Sequence, residues 1–368
     1  MRRFSIALSA CLLALLFVTP RSYASGVLLG ANDIGLGLGN VERVHGIRLN
    51  FRDADIDFVN GFNFSVWKPE QNRDAILRGI QVGVYGVTAE RVRGLTVGIV
   101  GHEINDFGGI AVAGLGMGSF GNRQRRSYGD ADMRGIMVAG LGIGAEQLHG
   151  ISVAGLGIGA DDASGIVVAG LGMGLDNLNG IGFTLLGMGA HDVTGAFFAG
   201  LGAGVHDVRG IALAGLGIGG GNLTGVSAAL LGLGWNDVRG ITVAGLGMGG
   251  NNLRGIGLAG LGIGGNNISG IYVAGLGVGG HKLKGIVLAG AGVGGSEQTG
   301  LAATLLYSRF EDTNGLVIAG WNRVDYDVRG IQIGLFNKAS NVKGLQIGLL
   351  NHIEENPAWQ RWLPFVNW

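Results

Sequence analysis

His191-Asp192 and His206-Asp207 stand one 15-residue interval apart. An imidazole beside a carboxylate can ligate a divalent metal or act as an acid–base pair. If 15 residues is one turn of a stacked structure, the two pairs lie about 4.8 Å apart. A second series, Gln147, Asp162, Asn177, Asp192, Asp207, Asn222, Asp237, Asn252, Asn267, Lys282 and Glu297, recurs at the same interval. A calcium ladder would use such a column, but the G-G-x-G-x-D nonapeptide is absent and Lys282 interrupts the acids. The column is therefore read as Asx turn residues that satisfy local backbone groups. The His–Asp pairs are read as exposed turn residues on neighbouring coils.

Other chemistry is missing. The chain has no G-x-S-x-G, H-E-x-x-H, Walker A or C-x-x-C. G-x-G-x-x-G recurs, but with 77 glycines in 368 residues it is uninformative. Polysaccharide-cleaving β-helices need acids clustered on one groove, whereas here Asp and Glu fall in turn columns. No catalytic, cofactor-binding or metal-binding residue is expected, and the chain is read as non-enzymatic.

The elements that position these residues are set by glycine. Gly recurs every 15 residues from Gly135 to Gly330, in the same frame upstream at Gly46, Gly61, Gly79, Gly94 and Gly109, and downstream at Gly344. With each of these frame glycines as position 0, the consensus is G-I-x-V-A-G-L-G-I-G-x-N-D-L-x over about 20 units, a repeat signature. Collagen is excluded because Gly is not every third residue and only 4 prolines occur. Lys+Arg and Asp+Glu are each 26, so no basic footprint suggests nucleic acid. A helical period fits nothing here, and β-branched residues at alternating places favour strands. The fold expected is an all-β solenoid of about 20 coils. A lone coil buries too few aliphatic side chains to repay its backbone ordering, so stacking must supply the stability.

Aliphatics at positions 1, 6 and 3, 8, 13 predict inward side chains, and position 2 (Met137, Val167, Phe197, Tyr272, Val287) is expected outside. Position 7 is Gly in most units and reads Asn322, Asn337 and Asn351 near the end. Gly and Asn best tolerate a left-handed backbone, so φ > 0 is expected there. Between Gly135 and Gly300 every charge lies at positions 11, 12 or 14. The uncharged remainder implies apolar flat faces that meet a membrane, another copy or a ligand. A transmembrane β-barrel is the alternative, since about ten uncharged residues per unit would span a membrane. Against it, the turns do not alternate in chemistry and neither strand face is polar. Residues 210–236 carry no charge, but glycine and the persistent frame argue against a helical span.

Residues 1–24 read as a signal peptide: Arg2 and Arg3, an apolar run from Phe4 to Val18, Pro20, then Ser22-Tyr23-Ala24. Cys11 lies too early for a lipoprotein site, and its removal leaves no cysteine. Residues 25–45 are read as an N-terminal cap, 46–351 as the repeat array and 352–368 as an aromatic C-terminal cap. An insertion at 119–134 carries Phe120, Arg123, Arg125, Arg126 and Tyr128 and is expected to project as a surface loop.

Gly330–Asn337 (GIQIGLFN), Gly344–Asn351 (GLQIGLLN) and the ending NPAWQRWLPFVNW resemble the bacterial surface-repeat proteins, built on G-[LIV]-Q-[LIV]-G-L-x-N units. The likeness covers about 315–368; from 79 to 300 only the frame is shared. It implies a cell-surface or envelope location and supplies no catalytic residue. The expected role is structural or interactive: self-association, or contact with surface polymer or membrane, without a small-molecule cofactor.

Overall fold

The computed structural model describes residues 26–70, 72–120 and 131–368. The signal segment 1–24 with Cys11, and Arg123, Arg125, Arg126 and Tyr128 of the insertion, lie outside the described residues. The fold is an all-β solenoid of about 21 stacked coils. Among the described residues no helix is long and apolar enough to cross a membrane. The chain divides into two compact units, Met1–Ile104 and Asn105–Trp368.

In the second unit each regular coil is one 13-residue strand, such as Gly142–Ala154 or Gly157–Ala169, followed by a two-residue bend. Successive strands pair parallel and in register: Ile143 faces Ile158 and Val153 faces Val168. The same 15-residue offset runs through the pairing of Gly277–Ala289 with Gly292–Thr304. A membrane barrel of this kind pairs its strands antiparallel. The parallel ladder overturns the barrel alternative.

Three corners bend each coil. The frame glycine supplies the first, with φ of 148° at Gly240. Only glycine serves there, because a Cβ on Gly240 would stand 1.8 Å from the Gly225 carbonyl oxygen. The second is the Gly-Leu bend at positions 5 and 6. The third is position 11, where Glu146 drops out of the ladder between Ala145 and Gln147.

Side chains alternate between these corners, so positions 2, 4, 8, 10 and 13 point inward. In one coil Thr242, Ala244, Met248 and Leu253 are buried, while Ile241, Val243 and Leu246 are exposed. The expected assignment of positions 1, 3 and 6 to the interior is thus reversed, and position 2 belongs to the core. Hydrophobicity misled because both sides of this segment are apolar. The varied size at position 2 reflects neighbouring coils sharing volume. A Cβ on Gly257 would lie 2.4 Å from the Tyr272 ring, and position 10 shows the same trade, a Cβ on Gly220 lying 2.5 Å from the Trp235 ring.

Position 7 is also corrected. Among its glycines Gly86 has positive φ; Gly142 through Gly292, and Asn322, Asn337 and Asn351, do not. The bend before Trp321 is one residue shorter than its predecessor, so Ser308 pairs with Asn322. The asparagines therefore occupy the buried column of Val278 and Val293, not the glycine column. Trp362–Asn367 then runs antiparallel on Asn341–Ile353, covering that end.

The first unit begins with a hairpin of Val27–Ala31 and Ile34–Leu38. Its turn residues Asn32 and Asp33 both have positive φ, as a type I′ hairpin requires. Parallel coils follow, and their position 2 is polar: Arg48, Asn63, Gln81 and Thr96 are all buried in one register. The Arg48 guanidinium donates to Asp53 at 2.5 Å, to Asn63 at 2.9 Å and to Asn40 at 2.9 Å.

Candidate functional site

The three sides of a coil in the second unit present three different surfaces. The first, positions 1 and 3 with the Leu corner at 6, is aliphatic. Ile211, Ile241, Ile256 and Ile271 line one exposed column, and Leu201, Leu216, Leu246 and Leu261 line another. No charged residue occupies these positions between Gly135 and Gly300. Near the C-terminus the face continues into a groove of about 580 Å³ lined by Ile318, Ile333, Leu335, Ile347, Leu349 and Phe365. Trp359, Trp362 and Trp368 are exposed on the same terminal segment, and Tyr307 and Trp321 meet edge to face at 5.8 Å.

The second side is glycine. Positions 7 and 9 point outward, and a Cβ on Gly144, Gly174, Gly204 or Gly234 would meet nothing within 4 Å. At position 9 neither backbone conformation nor space requires glycine; at position 7 the fit is tighter, with a Cβ on Gly202 or Gly217 standing 3.3 Å from the next coil's carbonyl oxygen.

The third side, positions 12 and 14 with corner 11, carries the charge. Here the Asx column differs from expectation: its side chains bond to one another across coils instead of to local backbone. Asn177 donates to Asp162 at 2.8 Å, Asn222 to Asp207 at 2.7 Å and Asn267 to Asn252 at 2.8 Å. Asp192 and Asp207 stack without an amide between them; where an amide follows a carboxylate, as at Asn177 and Asn222, it relieves the repulsion that stacked carboxylates suffer. Lys282 does the same for Glu297 at 2.9 Å. Beside it a small polar cleft is lined by Glu297, Asp312, Asp327 and Arg329, where Asp312 accepts from the Asp327 amide at 3.1 Å.

The structure brings the predicted His–Asp pairs together. The His191 and His206 rings stack with centroids 4.7 Å apart and planes 12° from parallel. His191 Nδ1 is 3.3 Å from Asp192, and His206 Nδ1 is 3.4 Å from Asp207. Both pairs are exposed, as turn residues should be.

Titration is perturbed mainly at the C-terminal end. Burial, with Lys338 adding to it, holds the His352 imidazole below its usual range, and its ring lies 4.1 Å from Trp362. The hydrogen bond from Arg323 holds the Asp325 carboxyl low, and that from Lys338 does the same for Glu354. In the middle of the array burial pushes the Tyr272 phenol up, and its hydroxyl has no partner.

Sequence reasoning missed the buried Arg48–Asp53 pair and the inward Gln332 and Gln346, which bond at 2.8 Å. The signal was legible: Arg48, Gln81, Gln332 and Gln346 all fall at position 2 of the repeat. In Gly330–Asn337 and Gly344–Asn351, Gln332, Gln346, Asn337 and Asn351 are the inward polar residues. Ile331, Ile333, Leu335, Ile347 and Leu349 of the same segments are exposed.

These features define a β-solenoid whose coil has aliphatic, glycine and charged sides. No family model, curated protein or solved structure matches the chain.

Proposed function

We propose that this is an exported, non-enzymatic repeat protein of the bacterial envelope, acting through the uncharged faces of its solenoid. The observation that carries the reading is the exposed aliphatic side of the second unit, repeated coil after coil without a charge. Contiguous apolar surface on this scale is costly in water and marks an interaction face. It offers no hydrogen-bonding side chain at positions 1 and 6, so its best partner is itself apolar. The same face of a second copy fits, since two flat sheets pack face to face at about 10 Å. The apolar run at residues 4–18 and the likeness of 315–368 to the surface-repeat proteins support the address.

Contact with a membrane is the second reading, favoured by the exposed Trp359, Trp362 and Trp368, because tryptophan concentrates at membrane–water interfaces.

Leu201→Lys, Leu216→Lys and Leu246→Lys together put charge on the apolar face without touching the core. Cells expressing the wild type and this variant would be fractionated, and the purified proteins sized by sedimentation. Self-association that the variant loses supports the first reading. Carbonate-sensitive membrane attachment of a monomer would favour the second. A cytoplasmic monomer, unaffected by the three lysines, would overturn both.

A further inference from the structure

We infer that His191, His206 and Asp192 form a binding site for a first-row transition dication of the zinc or copper type, bridging two adjacent coils. The observation is geometric. Two imidazole nitrogens and one carboxylate oxygen lie within 4.8 Å of one another on the exposed charged side. Two nitrogens with one oxygen, and water in the remaining positions, suit Zn²⁺ or Cu²⁺ better than the all-oxygen preference of Ca²⁺ or Mg²⁺.

The surroundings are arranged as a metal site requires. Asp207 reaches Nδ1 of His206 at 3.4 Å. A carboxylate beside one ring nitrogen helps to orient the ring, as outer partners of metal-bound histidines do. Asn222 donates to that same Asp207 at 2.7 Å, so the carboxylate is itself held. The next residue in the corner column is Gly221, where a Cβ would stand 3.5 Å from His206 Nε2, so that flank is free of side chain. Metal–nitrogen bonds of about 2.0–2.1 Å need the rings to close from their stacked spacing. Both are more than half exposed and can turn at low cost.

The rest of the column supplies an internal control. His281 also lies at position 11, but its Nδ1 meets Ser296 at 3.0 Å and its chain neighbour is Lys282. A single imidazole beside an ammonium does not make a dication site. What distinguishes the 191–207 segment is the His-Asp pair repeated one period on, which the parallel register converts into convergent ligands. The ion would tie two coils together, as a staple on the charged side.

The test uses tag-free protein titrated with ZnCl₂ by calorimetry, together with the copper adduct examined by electron paramagnetic resonance. The expected result is one strong site per chain, weakened at least tenfold by His191→Ala or His206→Ala and unchanged by His281→Ala. The copper spectrum should show two coupled nitrogens in the wild type and one in each single variant. Circular dichroism identical to the wild type would establish that the variants fold. Zinc binding equal in the wild type and the His191→Ala/His206→Ala double variant would overturn the inference. So would no uptake at micromolar zinc, or a copper spectrum without nitrogen coupling.

Discussion

The same inward positions of the repeat are filled in opposite ways in two regions of the molecule. In the coils from Gly135 to Gly300 the interior is largely apolar, with Met137, Val167, Phe197 and Tyr272 at position 2. From Ser308 onward, polar side chains run up the interior instead. Ser308 donates to Asn322, Asn322 to Asn337 and Asn337 to Asn351, each at 2.7 Å. The first unit has a charged version, with Arg48 and Asp53 both buried. An apolar interior works by filling volume and tolerates trades between neighbours, as Gly257 and Tyr272 show. A polar interior works by completing bonds, and every member depends on the coil above and below. The middle should therefore respond to lost volume, and the polar regions to lost partners.

The largest expected effect breaks the charged interior. Asp53→Ala leaves the Arg48 guanidinium buried without its counter-charge and should cost the first unit about 3–5 kcal/mol. Denaturant unfolding followed by hydrogen exchange over residues 26–104 would measure it. The paired change Arg48→Met with Asp53→Leu should cost much less; equal losses would show that packing, not charge pairing, dominates there.

Next is the amide ladder. Asn337→Leu keeps much of the volume but strips partners from Asn322 and Asn351, at a cost of about 1–3 kcal/mol for each group left unsatisfied. Protection lost at residues 322 and 351, with Val278 and Val293 untouched, is the expected exchange pattern.

Acidification should sharpen the contrast more gently. The folded His352 imidazole is held below its usual value, so the unfolded chain binds protons more readily. Its contribution is complete above about pH 6.5 and is lost as pH falls through the lower folded value. Asp325 and Glu354 are held low by Arg323 and Lys338, and their contributions fade further, below about pH 4. Exchange between pH 7 and 5 should loosen the C-terminal coils ahead of the middle, and His352→Phe should abolish that first step. Uniform loosening would contradict the assignment.

The smallest effect lies in the apolar middle. Tyr272→Phe removes a buried hydroxyl that has no partner and should change the melting temperature little or raise it. A large loss would reveal a bond that the apolar description of this interior omits.

The period, the all-β class and the confinement of charge to one edge were all legible in the residues. The frame glycine repeats without a slip from Gly135 to Gly330, and no helical period competes with it. Two kinds of residue mislead, for different reasons: periodicity does not report which way a position points, and it fails where one bend changes length. Ile241 and Thr242 were assigned to the wrong sides because hydrophobicity marks burial only when the outside is polar. Asn322 was placed in the glycine column because counting from Gly315 cannot see that the bend before Trp321 is one residue shorter. Its partner in the parallel register shows this at once.

By itself, then, the sequence determined that about 15 residues make one turn, that glycine recurs at fixed positions of that turn, and that charge lies on one edge. These follow from local sterics and composition. Only the tertiary structure decided which aliphatics are core and which are surface. It also decided which polar groups complete each other between coils, and that two His–Asp pairs converge. Those outcomes depend on contacts between residues a full turn apart, and the energy of such contacts exists only once the coils are stacked.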